Sequence, residues 1–429
     1  MKLSSMWRRG FVSIASLALV AAAVPAAVAA QDDDNEVVVM TYFGAELGEA
    51  ALKELLAAWE QESGNTVQFV PVGHEDYKTG ILIQLAGGNP PDMHSIWAGA
   101  RTQFQVDNGM LAPLDEMWAA NDLDSQFSPG MIESAATYDG HKYLLPFGYH
   151  IAPIFYNPKV FADNGVEIPA TWDDLKAACG TLSGAGVVPI SIGSVNRWPA
   201  QFWFDYILLR TAGPEYRAQL MAGEASYTDP EVVRTLELWA ELMDAGCFPD
   251  GATANSLDWT DAADQLIAGD AAMNLMGTWF TGYVDGNGAV PVEDYDFFEF
   301  PVIDEGLPSA VVGPVDGLAT AAGGQHTAAA QDLLAFLAQP DNQTAWAIGQ
   351  GALAPNINAD TSTFTPVMAK AVDVAAAAES FNFNYDLATP PAPSEVGLDM
   401  FQQFINDPSD IEGLLARTQD GVAAAFENQ

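Results

Sequence analysis

The sequence predicts an α/β protein of two interleaved lobes, and three observations carry the prediction. The chain has 429 residues, so that roughly 400 remain once an N-terminal leader is set aside, more than one ordinary core holds. Its first elements run strand, helix, strand, the start of a parallel sheet. Two extended segments, residues 144–157 and 311–320, interrupt the later helix–strand alternation without any internal repeat or low-complexity linker. Lobes connected in that way exchange chain with each other and do not follow in series.

The leader comes first. Lys2, Arg8 and Arg9 precede an apolar run over 11–24 and then Ala27-Val28-Ala29-Ala30. This is the pattern of a secretory signal peptide cleaved near Ala30. The run is short for a bilayer span, and no cysteine in it offers a lipid anchor. The expected address is the periplasm or the exterior.

Val37-Val38-Val39-Met40-Thr41 then reads as a buried strand ending in Tyr42-Phe43-Gly44-Ala45-Glu46. Helical spacing of apolar residues covers 47–60, and residues 66–72 read as the second strand. His74-Glu75-Asp76-Tyr77 opens a helix with acids where the helix dipole favours them. Gly87-Gly88-Asn89-Pro90-Pro91 must end it, because the prolines forbid helix continuation. Asp92 to Ile96 is a short, mostly apolar run that delivers Trp97-Ala98-Gly99-Ala100-Arg101. Open α/β sheets bind ligands where a parallel strand hands over to its loop. An indole beside Ala and Gly keeps one ring face clear, and Arg101 offers a planar fork of donors.

Residues 144–157, with their prolines and glycines, are expected to cross between lobes. Thr171 caps the helix that begins at Trp172-Asp173-Asp174. Residues 188–192 form a strand followed by an aromatic-rich helix over 198–209, and helices follow over 230–245 and 260–268. Ala271 to Leu275 is a strand ending in Met276-Gly277-Thr278-Trp279. The second crossing is 311–320, with helices over 327–338, 343–348 and most of 394–426. Trp59, Trp172 and Trp239 fall inside helices and read as packing.

The formal charge is -42, and the mature chain is near -45, with 12 basic residues left against 57 acids. Nucleic acid and acidic membranes are excluded as partners. A strongly hydrated acidic surface fits a saline or osmotically exposed setting. Cys179 and Cys247 are the only cysteines, and in an exported chain they are expected to pair as a disulfide. No Gly-x-Ser-x-Gly, HExxH or phosphate-loop motif occurs. Asp285-Gly286-Asn287-Gly288 resembles the start of a calcium loop, but Val290 stands where that loop requires glycine, so it reads as a turn. No metal or cofactor is expected.

Three motifs in order resemble extracellular solute-binding protein family 1, the carbohydrate-binding components of ABC importers, of which maltose-binding protein is a distant member. They are Gly87-Gly88-Asn89-Pro90-Pro91-Asp92, Tyr156-Asn157 followed by Ile168-Pro169-Ala170-Thr171-Trp172, and Gly269-Asp270-Ala271-Ala272-Met273-Asn274-Leu275-Met276-Gly277-Thr278-Trp279. The resemblance spans essentially the whole mature chain and implies a two-lobe type II periplasmic binding fold. It implies an N-terminal lobe of residues 31–147 and 316–360 and a C-terminal lobe of 148–315 and 361–429. It also implies a monomer that closes on a carbohydrate by hinge motion and delivers it to permease subunits.

Site residues carry over position by position. Glu46 falls where the family often places a polar sugar contact, and Trp97 and Arg101 fall where the maltose binder has an aromatic platform and an arginine. His150 stands where that binder carries an acid, so this contact differs in kind. Trp198 and Trp279 match the second lobe's face of the cleft, and Tyr42, Tyr149, Trp259 and Asp316 complete the candidate set. No residue matches the C-terminal aromatic of the maltose binder, so maltose itself is unsupported. A pyranose needs an aromatic floor for its C–H face and planar polar groups for its hydroxyls, which these residue types supply.

Three other readings compete. A secreted glycoside hydrolase needs one carboxylate pair at a defined separation with one raised pKa, and no segment singles out such a pair among 57 acids. A binding protein for a polyol, a compatible solute or a phosphorylated polyol shares the fold. The third is a secreted interaction module without a small ligand.

Overall fold

The structure is a computed structural model that describes residues 35–43 and 48–428. The expected signal peptide, residues 1–30, and the candidate Glu46 lie outside the described residues. The strands are β1 (Glu36–Thr41), β2 (Thr66–Pro71), β3 (Met93–Trp97), β4 (Thr137–Tyr138), β5 (His141–Lys142), β6 (Leu145–Tyr149) and β7 (Ile154–Tyr156). They continue as β8 (Val188–Ser191), β9 (Ala271–Leu275), β10 (Asp296–Phe298), β11 (Ala310–Val312), β12 (Val315–Thr320) and β13 (Ser380–Asn382).

Two main sheets organise the α/β fold. The first has the order β2-β1-β3-β12-β6 and the second β10-β7-β9-β8. β1 pairs in parallel with β2 and β3, whereas β12 runs antiparallel between β3 and β6. In the second sheet β8 and β9 are parallel, and β7 is antiparallel to β9 and β10. Every residue of β3, β9 and β12 is buried, as strands covered on both faces by helices must be. That is why these segments show no polar–apolar alternation.

The covering helices follow their apolar spacing. Glu49–Ser63 buries Leu52, Leu55, Leu56 and Trp59 against the first sheet, one stripe of a 3.6-residue period. Trp59 Nε1 donates to Asp332 at 2.9 Å. Pro230–Asp244 buries Val232, Leu236, Trp239 and Leu242. Thr171 and Asp174 form a reciprocal cap on Trp172–Gly184, so the three tryptophans expected to pack in helices do so.

The chain crosses between sheets as an extended ladder. His150 N–H donates to the Pro314 carbonyl and Ala152 N–H to Val312, while Thr278 N–H donates to Ile151 on the other side. A Cβ on Gly313 would overlap the His150 carbonyl oxygen, so only glycine lets the two crossing segments lie backbone to backbone. The extended segment expected over 311–320 is split at Gly313-Pro314 into β11 and β12, because proline has no N–H to give a ladder. β11 leaves to pair with β13. The helices Gly213–Met221 and Pro366–Ala377 and the strand β13 are additions to the elements expected.

Cys179 and Cys247 form a disulfide that closes a 68-residue separation and ties the helix Trp172–Gly184 to the residue whose carbonyl accepts from Ile190 of β8. For a loop of that length chain entropy gives about 4 kcal/mol. Replacing both cysteines by alanine is expected to lower the unfolding free energy by about that amount, read from urea midpoints with and without reductant.

His94, fully buried in β3, has its Nε2 3.0 Å from Gln105 Oε1, and burial lowers its pKa to about 4. A depressed histidine favours the neutral folded form, so its contribution is complete above the ordinary value near 6.5 and is lost as pH falls toward about 4. The span corresponds to about 3 kcal/mol. His94→Gln should remove that part of the acid slope, measured as the difference in unfolding free energy between pH 7 and pH 4.

Candidate functional site

Parallel strands of both sheets end at one cleft, and each end delivers an aromatic ring. Tyr42 follows β1, His74 opens the helix His74–Ala86 after β2, and Trp97 closes β3. Trp198 follows β8, and Trp279 opens the helix Trp279–Gly286 after β9. All five line a cleft holding about 810 Å³ of unoccupied space, part of it open to solvent.

Tyr42 and Trp97 stack with centroids 4.1 Å apart and planes 13° from parallel. His74 stands edge-on to Trp97 at 5.4 Å and also meets Trp198 at 5.9 Å, joining the two walls. Trp198 and Trp279 meet at 5.9 Å, with Phe202 6.1 Å from each.

Polar groups are set into these walls in two clusters. The register of β12 places Asp316 opposite Trp97 on one side and Gly148 on the other. Tyr42 Oη donates to Asp316 Oδ1 at 2.6 Å. Burial and then the Asp316 carboxylate hold the Tyr42 pKa well above its usual value, so the phenol stays protonated and remains a donor. Asp316 Oδ2 lies 3.2 Å from His150 Nε2, a contact at ion-pair distance without hydrogen-bond alignment. His150 Nδ1 lies 2.9 Å from Thr278 Oγ1. Tyr42, Asp316, His150 and Thr278 thus run from one sheet through both crossings to the other.

In the second cluster the Arg101 guanidinium sits 5.6 Å from the Trp97 ring centroid and 3.4 Å from Asp386 Oδ2. Asp386 Oδ1 accepts from Asn384 Nδ2 at 2.6 Å. Nearby, His74 and Lys78 both bond Glu75. Burial would raise the Glu75 pKa, but the His74 hydrogen bond and the Lys78 charge prevail and lower it to about 2.

Of the residues singled out in the sequence, Trp97, Trp279, Trp198, Arg101, His150, Tyr42, Trp259 and Asp316 all line this cleft. Tyr149 does not. Neighbouring residues on an extended chain face opposite ways, so with His150 at the cleft Tyr149 turns away and packs edge-on to Phe381 at 6.1 Å. His74, Lys78, Gln201, Gln350, Asn384 and Asp386 also line the cleft and were not singled out. His74 was legible only as a helix start. The alternation of aromatic and Asn or Asp residues in Phe381-Asn382-Phe383-Asn384-Tyr385-Asp386 was a signal of backbone-capping loop chemistry that sequence reasoning passed over.

Two α/β lobes joined by crossing strands, with the facing strand ends lining one aromatic cleft, define the class of two-lobe solute receptors. The family model for bacterial extracellular solute-binding protein matches residues 44–344, and the chain belongs to that family. It is 26% identical over 380 residues to an alpha-glucosides-binding periplasmic protein of Rhizobium meliloti, covering 84% of this chain and 81% of the relative. It is 24% identical over 378 residues to an osmoprotective compounds-binding protein of Synechocystis, covering 84% and 86%. Among solved structures, the bacterial solute receptor AcbH, described as having an exclusive preference for β-D-galactopyranose, superposes with a TM-score of 0.85 at 26% identity, covering 91% of this chain and 99% of that one.

Asp316 is 5% exposed and accepts from the half-buried Tyr42 phenol, so Asp316→Ala leaves the Tyr42 hydroxyl without its partner and removes the contact of His150. The expected loss is about 2 to 3 kcal/mol of stability, and Tyr42→Phe is expected to cost a similar amount, because it leaves the buried Asp316 carboxylate without its one aligned donor. Chemical denaturation with unchanged m-values is the measurement.

Proposed function

We propose that the protein is the extracytoplasmic substrate-binding component of an ABC importer, closing its lobes over a sugar and presenting it to the permease. The observation that carries this reading is the joint lining of one cleft by Trp97 from the first sheet and Trp198 and Trp279 from the second, with Asp316, Asp386 and Arg101 set among them. Stacked aromatic rings bury the C–H face of a pyranose, and ionised side chains choose among its hydroxyls, since each one left unpaired in a dry cleft costs about 1 to 3 kcal/mol. The named preferences of the Rhizobium meliloti relative and of AcbH support a sugar.

The lobes we assign are residues 31–147 with 316–360 and 148–315 with 361–429. Strand pairing supports the first two boundaries, which fall within the crossing strands β6 and β12, while the third, at 360/361, lies between the helices Pro340–Gln350 and Pro366–Ala377. A ligand touching both walls favours the closed arrangement by its differential affinity, and hinge closure follows. Micromolar binding needs about 8 kcal/mol net. Export through the leader of residues 1–30, cleaved near Ala30, supplies the location, and no described helix is long and apolar enough to cross a membrane. The cleft carboxylates support binding over hydrolysis. Asp316 accepts from Tyr42, and Asp386 from Asn384 with Arg101 beside it, contacts that fix each carboxylate as an oriented acceptor for ligand hydroxyls.

A second reading, a polyol or compatible solute, is favoured by the Synechocystis relative named for osmoprotective compounds. One titration separates the two. Thermal unfolding is measured against D-galactose, D-glucose, maltose, glycerol and glycine betaine, where a ligand at about 100 times its Kd adds about 2.7 kcal/mol. A shift with at least one sugar, lost in Trp279→Ala when measured against that variant's own unliganded midpoint, is the expected result. Shifts confined to glycerol or betaine would establish the second reading instead.

A further inference from the structure

We infer that residues 384–387 form the ligand-discriminating part of the cleft, with Asn384 and Asp386 as specificity-determining side chains and the buried Asp205–Arg217 pair as the clamp that positions them. The inference rests on the binding function proposed above and goes beyond it by assigning which wall reads the ligand.

This segment belongs to neither main sheet. It follows β13, and Asn384, Asp386 and Leu387 line the cleft. It contains one short helical turn, Tyr385–Ala388, closed by its own backbone bonds, and side chains of neighbouring helices hold the N–H groups at its start. Arg217 donates from Nε and one terminal nitrogen to Asp205 Oδ1, at 2.9 and 2.6 Å, and the same terminal nitrogen donates to the Phe383 carbonyl at 2.7 Å. Asp205 Oδ2 accepts the Tyr385 N–H at 2.8 Å, and Gln201 Oε1 accepts the Asp386 N–H at 2.9 Å. Tyr385 and Tyr227 share a hydrogen bond between their buried hydroxyls. Groups on residues 383, 385 and 386 are therefore fixed by the helices Gln201–Leu209 and Gly213–Met221.

The choice of an ion pair for this task is informative. Asp205 is fully buried and Arg217 is 3% exposed, and two charges taken from water are a poor source of stability compared with apolar packing. What they supply here is direction, since a carboxylate and a guanidinium can bond an amide and a carbonyl of the same loop at once.

The held segment also touches the opposite wall. Gly99, at φ 94°, packs so close that a Cβ would collide with the Leu387 carbonyl oxygen and lie 3.2 Å from the Phe383 ring. Arg101 reaches Asp386 across the same gap. Asn384 Oδ1 is buried with no hydrogen-bond partner among the described residues, and Asp386 Oδ2 has only the long Arg101 contact. Buried acceptors without donors are uncommon. A ligand hydroxyl admitted between Asn384, Asp386 and Arg101 supplies what is missing, and an epimer that turns that hydroxyl away does not.

The test uses the full mature protein with D-galactose, D-glucose and maltose as probes, together with amide hydrogen exchange. In Arg217→Met, exchange at Tyr385 and Asp386 is expected to accelerate at least tenfold while amides of β3 and β12 keep their protection, and Kd for whichever probe binds rises at least tenfold. Arg217→Lys, which keeps the charge and part of the reach, should recover much of both, and it carries the same test should Arg217→Met fail to fold. In Asp386→Asn and Asn384→Ala the ratio of Kd values between probes should change at least fivefold, measured at a temperature where each variant is fully folded. Unchanged exchange at 385 and 386 overturns the clamp, and Kd ratios within twofold of wild type overturn the specificity role. If wild type binds none of the three sugars, the sugar reading fails by itself, and the exchange result still decides the clamp.

Discussion

The insertion of β12 between β3 and β6 is the constraint on which the rest of this molecule depends. β12 lies more than 150 residues from either neighbour in sequence, yet it completes the first sheet by pairing antiparallel with both. Its register is not free to slip, since all six of its residues are buried and a shift by one would exchange its two faces. With the register set, Asp316 stands opposite Trp97, takes the Tyr42 hydroxyl and lies beside His150. One strand pairing thereby fixes both the closure of a sheet and the central charge of the cleft.

The same pairing explains how the lobes communicate. Residues 150–153 bond the second crossing segment on one side and residues 276–278 on the other, so the connection between sheets is itself a short ladder. His150 is carried on that ladder and contacts Thr278 of the second lobe and Asp316 of the first. Aromatic contact works alongside, as His74 meets both Trp97 and Trp198.

Charge is distributed unevenly with respect to the site. The chain carries 57 acids against 15 basic residues, yet the cleft places Lys78 and Arg101 among Asp316 and Asp386, a local balance that the whole surface lacks. Most of the excess acid is solvated and speaks to solubility. Asp205, Asp316 and Asp386, buried among the described residues, are engaged by Arg217, Tyr42 and Asn384 respectively, and those engagements shape the walls.

What the sequence determined by itself was everything written in local periodicity. The β-α-β start, the Thr171 cap, the strand Ala271–Leu275, and the tryptophans delivered where β3 and β9 end follow from spacing, capping and turn chemistry within about fifteen residues. The pairing of Cys179 with Cys247 was legible because an exported chain with two thiols has one way to join them. The exchange of chain between lobes could be expected from the two extended segments and the resemblance, whereas strand order was not. Only tertiary structure decided that Asp316 meets Tyr42, that Tyr149 faces away while its neighbour His150 faces in, and that residues 384–387 reach the cleft at all. Those outcomes depend on the register of one strand against others far away in sequence, and on a buried ion pair whose members carry no local pattern. No window of sequence encodes a contact whose energy exists only after the intervening chain has folded.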